Sequence, residues 1–115
     1  MNSIVKTAAQ SLQNSFCEKA DALRRENMYK EAVSNYLNAI LIDRNNAESY
    51  YGLGICYKNL KQYAKAVKYL TTASELNPEN YEIYFELGVC HLLEGIPCGA
   101  IKNFIRAIQI NPDNP

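Results

Sequence analysis

Few side chains in this sequence are typed and spaced for catalysis. His91 is its only histidine, and an imidazole acting as a general base needs an orienting partner. Cys17, Cys56, Cys90 and Cys98 could act as nucleophiles or metal ligands, but no CxxC or Cys/His ligand spacing joins them, which argues against a zinc site. There is no glycine-rich phosphate loop, nucleophile elbow or HExxH, the patterns that carry phosphate binding, acyl transfer and metal-assisted hydrolysis. Glu75, Glu79 and Glu82 read as surface and linker charges. Lys58, Lys61, Lys65 and Lys68 read as one solvated basic-leaning face. The residues therefore predict a protein that is not an enzyme, with no cofactor and no metal.

The composition narrows the partners. Twelve basic and twelve acidic residues cancel, whereas a nucleic-acid binder carries a basic excess. No run approaches the ~18 apolar residues of a membrane span, and the amino terminus lacks the apolar h-region of a secretory signal. No nucleic acid and no membrane are expected as partners. Residues 1–17 hold Lys6 and no acid. A transit peptide would usually bring Arg as well, so a helical extension is the better reading. Cys56 and Cys90 stand 34 residues apart, as equivalent small apolar contacts between helices. Reduced thiols of this kind point to a cytoplasmic compartment.

That spacing of 34 recurs throughout. Ala32, Ala66 and Ala100 share one column, Tyr36, Leu70 and Phe104 the next, and Ala39, Ala73 and Ala107 a third. Upstream, Phe16 aligns with Tyr50 and Tyr84, Lys19 with Leu53 and Leu87, Ala20 with Gly54 and Gly88, and Leu23 with Tyr57 and His91. A fixed period of this length marks a solenoid. Within each period, apolar residues at i, i+3, i+4 and i+7 mark helices, predicted at 14–26, 30–42, 47–60, 64–76, 81–94 and 98–110. Asn27, Lys61 and Gly95 fall at the sharp turns within pairs, where left-handed backbone suits Asn and Gly and suits Lys least. Pro78 and Pro112 stop the preceding helices, and Pro97 tolerates a first helical turn. Ile4, Val5, Ala8, Ala9 and Leu12 give residues 1–12 helical spacing, read as an extra segment running into the first repeat helix, with Ser3 placed to cap the start.

These columns resemble the tetratricopeptide repeat, a helix–turn–helix unit of 34 residues carrying W-x2-L-G-x2-Y, then A-x3-F, then P. The second repeat (47–80) reads Tyr50-x2-Leu53-Gly54-x2-Tyr57, then Ala66-x3-Leu70, with Ala73 and Pro78. The third (81–114) reads Tyr84-x2-Leu87-Gly88-x2-His91, then Ala100-x3-Phe104, with Ala107 and Pro112. The first (13–46) is degenerate, with Phe16-x2-Lys19-Ala20-x2-Leu23, then Ala32-x3-Tyr36, Ala39 and Arg44. Gly54, Gly88 and Ala20 leave room for the paired helix, and His91, in the Tyr column, is expected to pack. The resemblance implies an all-α, right-handed superhelical α-solenoid of three repeats behind a helical extension at 1–12.

It also implies a concave groove lined by the first helix of each repeat, which receives another protein or a peptide. Groove candidates are Asp21 and Arg24 from the first repeat, and Tyr51, Ile55 and Lys58 from the second. The third supplies Glu82, Phe85, Glu86, Val89 and Leu92. Tyr51 and Phe85 are one period apart, as are Ile55 and Val89, which suggests an apolar strip. Some family members clamp the terminal carboxylates of heat-shock chaperones with basic and Asn side chains. Those positions fall here on Cys17, Asp21, Gly52, Glu82 and Glu86, so carboxylate-clamp binding is not expected. The sequence stops inside the linker after the sixth helix, which leaves Ile101, Phe104, Ile105 and Ile108 partly uncovered in expectation. That suggests a fragment of a longer repeat protein, or a homodimer formed through this end or by exchanged helices. The function expected is a non-catalytic interaction scaffold, with self-assembly or substrate recruitment for a longer enzyme as alternatives.

Overall fold

The computed structural model describes residues 2–113; Met1, where the predicted extension begins, and Asn114, where the third predicted repeat ends, lie outside the described residues. Among the described residues six helices follow one another: α1 (Asn2–Arg25), α2 (Tyr29–Ile42), α3 (Ala47–Asn59), α4 (Tyr63–Leu76), α5 (Tyr81–Glu94) and α6 (Pro97–Ile110). No strand occurs among the described residues. The chain is an all-α helical repeat solenoid. α1 runs without a break from Asn2 to Arg25, so its first half projects past the pair it forms with α2.

The turn inside each pair is built the same way three times. Asn27, Lys61 and Gly95 take φ values of 63°, 64° and 80°. That left-handed residue lets the next N–H reach back to a carbonyl of the last helical turn. Met28 donates to Leu23 O at 2.9 Å, Gln62 to Tyr57 O at 2.9 Å and Ile96 to His91 O at 2.8 Å. Lys61 thus carries the same backbone strain that Gly95 takes without cost. Between pairs, Asn46 and Asn80 cap the incoming helices, their side-chain oxygens accepting from Ser49 N–H at 3.2 Å and Glu82 N–H at 3.0 Å. An Asn at this position satisfies a donor that a helix start leaves open.

Small residues let the helices close. Ala32, Ala66, Ala100, Ala39, Ala73 and Ala107 are all buried. A methyl at Gly54 would overlap Leu70, and one at Gly88 would overlap Phe104. Leu53 and Leu70 are fully buried in the space so formed, each contributing about 1.5–3 kcal/mol. Each helix packs on its neighbours in sequence; in addition α1 touches α3 and α3 touches α5, while α2, α4 and α6 do not touch one another. The first helices are therefore closer together than the second ones. The stack must curve, with α1, α3 and α5 on its inner side.

Candidate functional site

The inner side carries the predicted groove residues, but its charges are committed to one another. Lys58 Nζ donates to Glu86 Oε1 at 2.6 Å, from α3 to α5, with both side chains mostly buried. The Tyr36 hydroxyl donates to Asp21 Oδ1 and accepts from Arg24 Nε at 3.0 Å. Arg24 also lies 3.7 Å from the Asp21 carboxylate. Asp21, Arg24, Lys58 and Glu86 are thus internal ties. Glu82 is exposed and, among the described residues, has no ion-pair partner.

Sequence reasoning gives Tyr36 no place in this surface. It sits in the column of Leu70 and Phe104, yet its ring reaches from α2 to Gly52 on α3, where an added methyl would overlap the ring. Only 1% of Tyr36 is exposed. Burial, and next the acceptor at Asp21, raise its phenol pKa. The one sequence signal for this interlock is that Gly52, outside the repeat's glycine column, is the smallest residue at its position. Glu18 and Glu86 are its counterparts.

The apolar strip divides in two. Tyr51 and Ile55 are half-buried at the junction of the second and third repeats. Burial first, and then the carboxylates of Glu86 and Glu82, push the Tyr51 phenol from 10.0 up to about 12. Val89 is half-buried, whereas Phe85 and Leu92 are 50% and 54% exposed. Tyr51 and Lys58 face α5, and the equivalent side of α5 faces no described element. Phe85 instead meets Phe104, with ring centroids 5.7 Å apart.

That contact joins the predicted groove set to the predicted self-association set. Phe104 is half-buried over Gly88 rather than free. Ile101 and Ile108 are each 58% exposed, although the earlier members of their columns (Val33 and Val67, Ile40 and Ser74) are half-buried. Ile105 differs: Leu37, Thr71 and Ile105 are exposed in every repeat. Phe85, Val89, Leu92, Ile101, Phe104 and Ile108 therefore make one open face across α5 and α6, while Ile105 belongs to the outer surface.

His91 is packed against Gly99. Its Nδ1 is 3.4 Å from Glu94 Oε1 but makes no aligned hydrogen bond. Cys56 and Cys90 are buried, and burial pushes both thiols from 9.0 up to about 11. Cys17 is half-buried, with its sulfur 3.1 Å from Ser49 Oγ. Among the described residues, no group of three or more His, Cys, Asp or Glu side chains could hold a metal. No described helix is long and apolar enough to cross a membrane.

Comparison with known proteins agrees with this architecture. The tetratricopeptide repeat model matches residues 47–80 and a second TPR repeat model matches residues 20–61, together just over half of the chain. The chain belongs to the tetratricopeptide repeat family. By sequence, no curated protein matches it. Among solved structures it is similar to the Arabidopsis OM64 TPR domain, at TM-score 0.89 and 22% identity, covering 92% of this chain and 88% of that one. It is also similar to the first TPR of Spaghetti (RPAP3) bound to the HSP90 peptide SRMEEVD, at 0.87 and 22%, covering 90% and 82%. A third is the Yersinia enterocolitica type III secretion chaperone SycD in complex with a peptide of the translocator YopD, at 0.84 and 18%, covering 89% and 78%.

Proposed function

We propose that this protein is a non-catalytic interaction scaffold whose inner surface, formed by α1, α3 and α5, receives a peptide or an extended segment of another protein. The observation that carries the reading is the half-buried apolar pair Tyr51 and Ile55 on α3, the middle one of the first helices that crowd together along the inner side. Solenoids offer such concave surfaces to extended partners. Two neighbours of the same fold were solved with peptides bound, which supports a peptide as the occupant. A reducing, cytoplasmic compartment fits the free thiols at Cys17, Cys56, Cys90 and Cys98.

The partner is one with apolar anchors rather than an acidic carboxyl tail. Glu82 and Glu86 occupy two positions that a carboxylate clamp fills with basic groups. Tyr36 fills the space beside Gly52 that a clamp Asn would need. The test is fluorescence polarisation against a peptide library that includes SRMEEVD. Expected are apolar-anchored peptides whose affinity falls at least about tenfold in Ile55→Glu, a loss of roughly 1.4 kcal/mol, while SRMEEVD does not bind. Tight SRMEEVD binding, or peptides indifferent to Ile55→Glu and to Tyr51→Ala, would overturn the reading.

A further inference from the structure

The outer faces of the first and third repeats are not equivalent. At the amino-terminal end, α1 presents Ser15, Glu18, Lys19 and Ala22, all exposed. Their counterparts one period on, Ser49, Gly52, Leu53 and Cys56, are all buried against the preceding repeat. A polar outer face is what a solenoid cap requires. The other end is built the opposite way. Arg24 and Lys58 give way there to Leu92, Asp21 and Ile55 to Val89, and Val33 and Val67 to Ile101. The face of α5 and α6 is thus more apolar than the two equivalent faces already buried inside the molecule. An exposed contiguous apolar patch of this kind marks a contact surface.

A second unmatched surface lies on the same chain. The projecting half of α1 exposes Ile4 by 76% and Val5 by 63%. Read as a first helix, Ile4, Thr7, Ala8 and Ser11 have the i, i+3, i+4, i+7 spacing of Ile83, Glu86, Leu87 and Cys90, which α5 turns toward the preceding repeat. The register also solves the problem at Leu92. In the internal junction, Lys58 meets Glu86. In a direct end-to-end stack Leu92 would meet Glu18 and strand a carboxylate without a partner, whereas the projecting segment places Thr7 there. The segment carries Lys6 and no acid through residue 13, so it brings no like charge to the exposed Glu82 and Glu94 of α5.

We infer that the open face of α5 and α6 is covered by the projecting half of α1 from a second copy of this chain. One copy supplies the segment and the other the face, with the whole second repeat between the two surfaces in each chain. The contact is heterologous, so copies join head to tail. This inference does not rest on the groove reading, since Tyr51 and Ile55 lie at a different junction.

The test is solution mass by light scattering across a wide concentration range, with circular dichroism confirming helical content. Wild type is expected to exceed twice its 13.0 kDa chain mass as concentration rises. The face variant Ile101→Glu with Ile108→Glu, and the segment variant Ile4→Glu with Ala8→Glu, are each expected to stay monomeric. All four positions are exposed, so both variants should fold. Mixed in equal amounts they should form a heterodimer, because each retains the surface that the other lost. A wild type that is monomeric throughout overturns the inference. So does a segment variant that still dimerises alone, which would mean that two open faces pair with each other. Neither result bears on the peptide titration that tests the groove.

Discussion

Gly52→Ala tests the interlock between the first two repeats. In an exposed helix this exchange would stabilise by about 1 kcal/mol, because Ala loses less backbone freedom than Gly on becoming helical. Here the new methyl would overlap the ring of Tyr36. That ring has little room to retreat, since it is buried and its hydroxyl is held by Asp21 and Arg24. Overpacking of this kind costs about 1–3 kcal/mol, so the net expectation is a loss of up to about 2 kcal/mol. Tyr36→Leu, which restores the residue found at position 70, should cost about 2 kcal/mol through the vacated volume. Asp21 and Arg24 both reach water and can be rehydrated. In the double variant, the methyl added at position 52 enters the space that the ring left. The two changes should then couple favourably by about 1–2 kcal/mol. Urea unfolding followed by helical circular dichroism measures all four corners of the cycle. Additivity within about 0.5 kcal/mol, or a Gly52→Ala variant stabilised by the full helical gain, would refute the interlock. Gly88→Ala is the internal control, because Phe104 lies on the open face and can move aside at lower cost.

Three further outcomes follow from the same geometry. Lys58→Ala removes one half of a mostly buried pair and leaves Glu86 without it; urea unfolding should show a loss of about 1–3 kcal/mol, partly recovered in Lys58→Ala with Glu86→Ala. Raised phenol and thiol values make the folded chain hold protons that the unfolded chain releases, so stability is complete below the unfolded values and declines as pH rises through the folded ones. Midpoints should therefore fall above pH 9 as Cys56 and Cys90, moved from 9.0 to about 11, come into play, and Tyr51→Phe should flatten the portion between 10.0 and about 12. Lys61→Gly relieves a side chain at φ 64° and should raise stability by about 1 kcal/mol, measured as a shift in thermal midpoint; no gain would mean that the Lys side chain offsets its strain by contacts elsewhere.

Much of the molecule was legible because the period is local information. The Ala columns, Gly54, Gly88, Asn27, Lys61 and Gly95 each act within one helix pair, so spacing alone placed them. The helical spacing of residues 1–12 reads as a segment running into the first repeat helix, and in the fold the two are one helix from Asn2 to Arg25. Gln13, fully buried between the two, gave no apolar signal.

The repeat, its helices, its turns and the set of residues available to the inner surface follow from the order of the residues alone. A 34-residue period leaves little choice, because each pair can bury its apolar edge only against the next. Which candidates are already engaged and which remain open depends on packing between helices. Lys58 and Glu86 stand 28 residues apart, and Tyr36 reaches Asp21 and Gly52 from a column that elsewhere holds Leu and Phe. Column membership gives a residue's place on its own helix. Whether Ile101 is covered like Val67, or Ile105 is exposed like Thr71, depends on what packs against that helix, and that is a property of neighbours distant in sequence.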